Sequence, residues 1–395
     1  MMSNPAPHSA FPRPPAMTPG IYIHIPFCVR KCPYCDFNSY KAAGRDTSAY
    51  VQALLSEMRL VRDALPHSLP DFGSVYFGGG TPTVLPAPDL ISILEAVRTL
   101  FPVSADAEVT IEANPGTVDP ESLARLRGAG FNRLSLGVQS LENRLLRALG
   151  RVHTAEQAVE SLAWARQAGF ANISVDLMYA LPGQSTDDWR ATLERAVSLQ
   201  PEHVSAYALT IEPGTPFWRR RESGKLHLPS EDEELEMERL AETVLCSSGY
   251  ERYEVSNYAK PGCRSRHNQV YWRNWPYLGF GAGAASYWEG ERRINIKQPS
   301  VYVRTVKRGR LPVADAEKLP PLKAAGETLM LGLRMLEGID SADVKRRFGV
   351  DVLSVFASEV ERMKTLGLLQ VDGTRLKLTP QGLLLANEVW ATFIV

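Results

Sequence analysis

The chain has 395 residues, and its 44 Lys and Arg are matched by 44 Asp and Glu, for a formal net charge of zero. That balance argues against a general nucleic-acid binder, which needs a basic excess, and no apolar run is long enough to span a bilayer. The length supports a large core and two domains.

Residues 1–18 are rich in Pro, Ala and Ser and nearly free of charge, which reads as a flexible tail. A mitochondrial presequence would carry more Arg and an amphipathic pattern. From residue 20 to about 250 strands and helices alternate. The predicted strands are 21–25, 74–77, 108–112, 133–137, 173–177 and 203–208. The predicted helices lie near 47–65, 88–101, 155–168, 186–199 and 230–247, with a further one opened by Asp119-Pro120. Thr154 and Gln157 form a capping box ahead of one of them. Ala129-Gly130-Phe131, Ala168-Gly169-Phe170 and Ser248-Gly249-Tyr250 each close a helix with a glycine and restart the core with an aromatic. Regular βα units imply parallel strands and right-handed crossovers. Six units predict an open barrel, with a doubly wound sheet as the alternative, although no dinucleotide-binding glycine turn is present.

Beyond residue 250 the alternation stops. Residues 250–258 and 271–297 are rich in aromatics and glycine and read as irregular β structure, and 307–321 reads as a linker. Residues 322–395 predict helices near 322–336, 341–348, 352–366 and 380–391 around a hairpin at Asp372-Gly373, an arrangement similar to a winged helix. The domain boundaries that follow are a tail 1–18, a barrel 19–250, an extension 251–310 and a C-terminal domain 311–395.

The chemistry-bearing residues cluster after the strands, where βα barrels keep their working groups. Cys28, Cys32 and Cys35 stand at C-x3-C-x2-C spacing in one short loop with Arg30, Lys31 and Pro33. A 4Fe–4S cluster usually takes four cysteines, so three leave one iron open to a chelating ligand. A disulfide does not suit a chain without a secretory leader, and the cysteine use fits a cytoplasmic protein. Zinc, with His24 or Cys263 as a fourth ligand, stays open on the donor set alone. Gly78-Gly79-Gly80-Thr81-Pro82 follows the second strand, where glycines let a ligand approach the backbone. Glu112 ends a strand, Gln139 follows one, Asp176 lies near the end of another, and Arg151 follows a helix. A carboxylate inside an apolar strand, as at Asp176, calls for a partner or a ligand.

Taken together, the cysteine loop and the glycine run resemble the radical S-adenosylmethionine (SAM) superfamily. There the open iron chelates the methionine part of SAM, and the reduced cluster releases a 5′-deoxyadenosyl radical. Tyr22-Ile23-His24-Ile25-Pro26-Phe27, the glycine turn, Arg133-Leu134-Ser135-Leu136-Gly137-Val138-Gln139 and Asp176 to Gln184 are similar to the oxygen-independent coproporphyrinogen III oxidase group, from about residue 20 to the C-terminus. The resemblance implies that Cys28, Cys32 and Cys35 hold the cluster. It assigns SAM to Tyr22, Tyr34, Gly79, Gly80, Thr81, Glu112, Gln139, Arg151 and Asp176. It also implies a partial six-unit α/β barrel with a smaller, mostly helical C-terminal domain.

Two departures matter. The oxidases carry a fourth cysteine two places beyond the third, where this chain has Phe37, and a longer N-terminal extension than the 27 residues that precede Cys28. Both features, with His267-Asn268-Gln269-Val270-Tyr271-Trp272 matching an H-N-x-x-Y-W signature, resemble the HemW branch of heme chaperones. That branch implies heme as cargo, recipient heme proteins such as respiratory enzymes as partners, transient membrane association through them, and no nucleic acid. It places His267, Asn268, Tyr271 and Trp272 at the heme, with Arg264 and Arg266 available to propionates. Read from the residues alone, His267 is better taken as a hydrogen-bonded structural histidine among core aromatics, and it is the resemblance that reverses this. Decarboxylation of coproporphyrinogen III is the alternative activity, and a zinc-stabilised partner-binding scaffold is a third reading.

Overall fold

Polar and apolar residues alternate along the long strands, and this period of two decides the architecture. The computed structural model describes residues 17–394; the predicted tail lies outside them except for Met17 and Thr18. The strands are β1 (Gly20–Ile25), β2 (Phe72–Gly79), β3 (Val103–Ala113), β4 (Arg133–Gln139), β5 (Asn172–Tyr179) and β6 (His203–Ala208). One set of alternate residues, such as Ile21, Val75, Ile111, Leu134, Val175 and Val204, is buried in a core shared with helix residues including Leu54, Ile93 and Leu123. The other set is polar. Tyr76, Glu112, Arg133, Ser135, Asp176 and Tyr207 face the inside of the curved sheet and line one cavity. All six strands run parallel in the order β1 to β6.

The sheet does not end there. Glu251–Arg252 (β7), Asn257–Ala259 (β8), Tyr277–Phe280 (β9), Ala285–Trp288 (β10), Glu291–Asn295 (β11) and Val313–Lys318 (β12) extend it. Its full order is β12-β11-β10-β9-β1-β2-β3-β4-β5-β6-β8-β7. β9 joins β1 in parallel, and the other additions are antiparallel. The sheet is curved and partly open, with β12 and β7 as its edges.

Helix starts follow the sequence signals. Asp119 caps Pro120–Gly128 with Ser122 in a reciprocal box, and Thr154 caps Ala155–Gln167 with Gln157. Three differences from the sequence reading appear. The stretch taken as a linker contains β12, whose Asp315, Glu317 and Lys318 are the charges expected of a solvent-facing edge strand. Ahead of it, Pro299–Lys307 is a helix that buries Tyr302 and Val306, four residues apart. Arg266–Trp272, whose last two residues fall in the stretch read as irregular β structure, is a helix whose Ser265 cap accepts from the Asn268 amide.

The C-terminal unit has its own apolar core, with Leu329, Val344, Leu376 and Val389 buried in it. The helices expected at 352–366 and 380–391 each break in the middle, at Phe356 and Leu385. Leu369–Asp372 and Arg375–Leu378 form the hairpin, joined by Ile339–Asp340 as a third strand. Arg334 reaches back to Glu254, and Arg347 donates to the carbonyls of Arg273 and Asn274.

Candidate functional site

The inward-facing polar residues enclose a cavity of about 560 Å3, a size suited to a small-molecule ligand. It runs along the barrel axis, from the cysteine loop at the C-terminal ends of the strands to the helix Arg266–Trp272 at their N-terminal ends.

At the upper end Cys28, Cys32 and Cys35 all line the cavity as free thiols. Each sulfur lies near a polar neighbour: Thr81 Oγ1 at 3.6 Å from Cys28, Arg151 Nη1 at 3.7 Å from Cys32 and Ser39 Oγ at 3.9 Å from Cys35. Burial pushes the Cys28 and Cys35 thiols up from their ordinary range. Among the described residues no three His, Cys, Asp or Glu side chains converge as the ligands of one metal ion do. A cubane cluster is held at its corners, so its cysteines stand farther apart than ligands of a single ion. The zinc reading loses its nearer fourth ligand, because His24 spends both ring nitrogens, on the Tyr22 hydroxyl and the Asn38 carbonyl.

The glycine turn is packed against this loop. Gly79 has φ +118°, and a side chain on Gly80 would meet the Phe27 carbonyl at 2.6 Å, so neither position accepts a Cβ without rearrangement. Glu112 accepts from the Tyr76 hydroxyl at 2.7 Å and from the Gly79 amide at 3.2 Å. Burial pushes its carboxyl up to about 7; those two hydrogen bonds oppose the shift and the charge of Asp176 adds to it. Asp176 accepts from Ser205 at 2.8 Å and from Ser135, and burial raises it as well. Gln139 takes φ 67°, in the left-handed region, where the register between β4 and β5 slips, and accepts from the Tyr207 hydroxyl. Arg151 donates to Asn114 and to the Gly137 carbonyl at 2.7 Å, and pairs with no carboxylate among the described residues. Tyr34 and Thr81 lie on the same wall. Tyr22 does not; its ring stacks 6.2 Å from that of Tyr76, behind the cavity surface.

At the lower end the six-residue motif splits by helical geometry. Asn268 and Trp272, four apart, line the cavity. His267 and Tyr271, also four apart, turn into the packing. His267 is fully buried, with Nδ1 2.9 Å from Ser74 Oγ and Nε2 2.9 Å from the Tyr271 hydroxyl. Burial, with the nearby charge of Arg133, pulls its imidazole down to about 3, so the ring is neutral. Arg264 and Arg266 form ion pairs with Glu251, Glu337 and Asp106. The sequence reading passed over Tyr76, Asn114, Tyr207 and Arg133 as single positions. Their signal is the alternation itself, since each belongs to the polar set of an otherwise apolar strand or directly follows one.

Sequence and fold comparisons agree with this geometry. The radical SAM superfamily pattern matches residues 22–196, and the HemN C-terminal domain matches 319–385. The heme chaperone HemW of Bacillus subtilis is 38% identical over 374 residues, which cover 94% of this chain and 98% of that protein. The chain belongs to the HemW family of the radical SAM superfamily. The HemW of Mycobacterium tuberculosis is likewise 38% identical, over 95% of this chain and 94% of that protein. Among solved structures, coproporphyrinogen III oxidase (HemN) from Escherichia coli, a radical SAM enzyme, matches with a TM-score of 0.83 at 26% identity, over 96% of this chain and 91% of that one. Membership in the superfamily implies a 4Fe–4S cluster and SAM. The residues present fit both: three free thiols share one wall, and the guanidinium of Arg151 stands beside them with only neutral oxygens and sulfur as partners. No helix of the described residues is long and apolar enough to cross a membrane.

Proposed function

We propose that the chain is a heme chaperone: it binds heme and a SAM-ligated 4Fe–4S cluster, and delivers heme to recipient proteins, respiratory enzymes among them. The carrying observation is the near full-length likeness to curated heme chaperones. Phe37 supports it. It stands where the oxidases place a fourth cysteine, is 67% exposed, and borders the mouth of the cavity.

In this reading Cys28, Cys32 and Cys35 hold the cluster, which when bound supplies one-electron reduction of SAM. Gly79 and Gly80 seat the amino-acid end of SAM. Arg151 takes its carboxylate, and Glu112 and Asp176 take its ammonium or ribose hydroxyls. Heme belongs on the HNxxYW side, with Asn268 and Trp272 as the residues that reach the cavity. His267 then shapes that end through Tyr271 and Ser74, since its ring nitrogens are both engaged. The protein works in the cytoplasm and meets membranes only through its partners.

The oxidase is kept as a second reading because the barrel matches that of coproporphyrinogen III oxidase along its length. Anaerobic incubation of cluster-loaded protein with SAM, reductant and coproporphyrinogen III separates the two. The chaperone yields no decarboxylated product by mass spectrometry and passes hemin to an apo-respiratory protein. Loss of CO2 from the porphyrinogen would overturn it in favour of the oxidase.

A further inference from the structure

Arg133 opens β4 at the lower end of the cavity and is 2% exposed. Several other buried or half-buried arginines have carboxylate partners: Arg252 has Glu238 and Glu242, Arg273 has Glu337, Arg334 has Glu254 and Arg347 has Asp343. Arg151 has an amide, a carbonyl and a thiol. Among the described residues Arg133 has no ion pair, and its Nε, shielded from solvent, has no hydrogen-bond partner. Its charge is nonetheless felt by Glu112, Asp176, His203 and His267 around it. None of these neutralises it. The two carboxylates are engaged with serines, Tyr76 and a backbone amide, and the two histidines are pushed further toward neutrality. A buried cation without a partner is strongly disfavoured, so the position asks for an anion.

Further unpartnered groups belong to residues that line the same cavity. Trp272 Nε1 and Arg334 Nε are shielded from solvent without acceptors, and both residues line this end of the cavity. Asn257 has an unpartnered Oδ1, and its amide, which has no other partner, can turn its nitrogen to the same place. Both acids at this end are already held: Glu254 by Arg334 and the Ser256 amide, and the buried Glu108 by the amides of Arg266 and His267. With Arg334 already paired to Glu254, a single uncompensated guanidinium balances one negative charge, so a carboxylate fits the charge here better than a phosphate dianion.

We propose that the lower end of the cavity is a carboxylate subsite, with Arg133 as its cation and Trp272 Nε1 as a second donor. It is distinct from the carboxylate site at Arg151, which lies beside the cysteines. The carboxylate comes either from a tetrapyrrole propionate or from an amino-acid group. The first source rests on the heme reading; the second does not.

The test uses cluster-loaded full-length protein and Arg133→Gln, with folding checked by thermal melting and by the cluster absorbance. Hemin, hemin dimethyl ester and SAM are titrated separately. If a propionate occupies the subsite, the variant loses tenfold or more in hemin affinity, while the diester and SAM bind as before. If an amino-acid carboxylate occupies it, SAM weakens tenfold and hemin is unchanged, and the SAM carboxylate then belongs to Arg133 and not to Arg151. Arg133→Lys restores part of whichever loss appears. Unchanged affinity for both hemin and SAM, or an equal loss for hemin and its diester, overturns the subsite. Wild-type protein that binds no hemin sinks the chaperone reading, and the SAM titration still decides the subsite. Should Arg133→Gln fail to fold, Trp272→Phe keeps the ring and removes only Nε1. It weakens the same ligand severalfold, and no change there counts against the proposal.

Discussion

The two ends of the cavity are built on opposite plans. The upper end is carried by loops and strand termini: a cysteine loop, a glycine turn with φ +118° at Gly79 and a left-handed Gln139. Its polar side chains face open space and are tied to one another by neutral partners. The lower end is carried by a helix packed across the strand starts. There His267, Tyr271 and Ser74 satisfy one another inside the packing, while Arg133 beside them has no counter-ion. The contrast separates two uses of a polar residue in one lumen. At the top, a motif residue is a ligand-facing group. At the bottom, half the motif is structure, and the ligand-facing charge lies outside it.

Substitutions at each end sharpen that contrast. The largest effect is at the top: Cys32→Ala removes the brown cluster absorbance altogether while the apoprotein melts near the wild-type temperature. A cluster retained at full intensity would break the assignment of the upper end. At the bottom, His267→Ala acts on the fold. It strands two hydroxyl groups and opens a void in the packing, at a cost of about 3 kcal/mol, read as a lower melting temperature in protein stripped of ligand. An unchanged melting point would move His267 to the ligand-facing class.

Glu112 supplies the pH-dependent comparison. Its carboxyl is raised to about 7 from an ordinary 4.5, so the folded state holds a proton that the unfolded chain releases. The stability this confers is complete below about pH 4.5 and is lost as pH rises through 7, a change of about 3 kcal/mol. Glu112→Gln has no proton to lose, so the variant gains on the wild type across that interval. Parallel melting curves for the two proteins from pH 5 to 8 would refute it. The smallest effect is at Thr81. Thr81→Val takes a hydroxyl from Cys28 and an acceptor from Asn114, about 1 kcal/mol, and lowers the cluster reduction potential, which donors to sulfur raise. Redox titration with the potential unmoved would count against a role for that contact.

Much of the upper end was legible in the chain. The cysteine spacing, the glycine run and the carboxylates at strand ends are local signals, and the structure brings them to one wall. What escaped was set by tertiary context. β12 reads as a linker because an edge strand carries charges against further pairing. Arg266–Trp272 was lost among the aromatics that follow it, although Ser265 is a cap and the motif has a helical period of four. Arg133 was quoted as part of a motif, yet its meaning lies in the alternation Arg133, Ser135, Gly137, Gln139, one face of one strand. The broken helices near Phe356 and Leu385 have no Pro or Gly at the break, so composition carried no warning.

Asn38, three residues beyond Cys35, donates to the carbonyls of Ala282 at 2.8 Å and Lys297 at 3.1 Å. The second of these partners is 259 residues further along the chain. At translation rates of about 5–20 residues per second, the ribosome reaches Lys297 roughly 13–50 s after it has made Asn38. β1 waits as long for β9, its neighbour on the other side. The thiols therefore leave the exit tunnel well before their cradle can close. The nascent loop is a bare C-x3-C-x2-C segment over that interval, open to oxidation and to adventitious metals, and its protection falls to the cell.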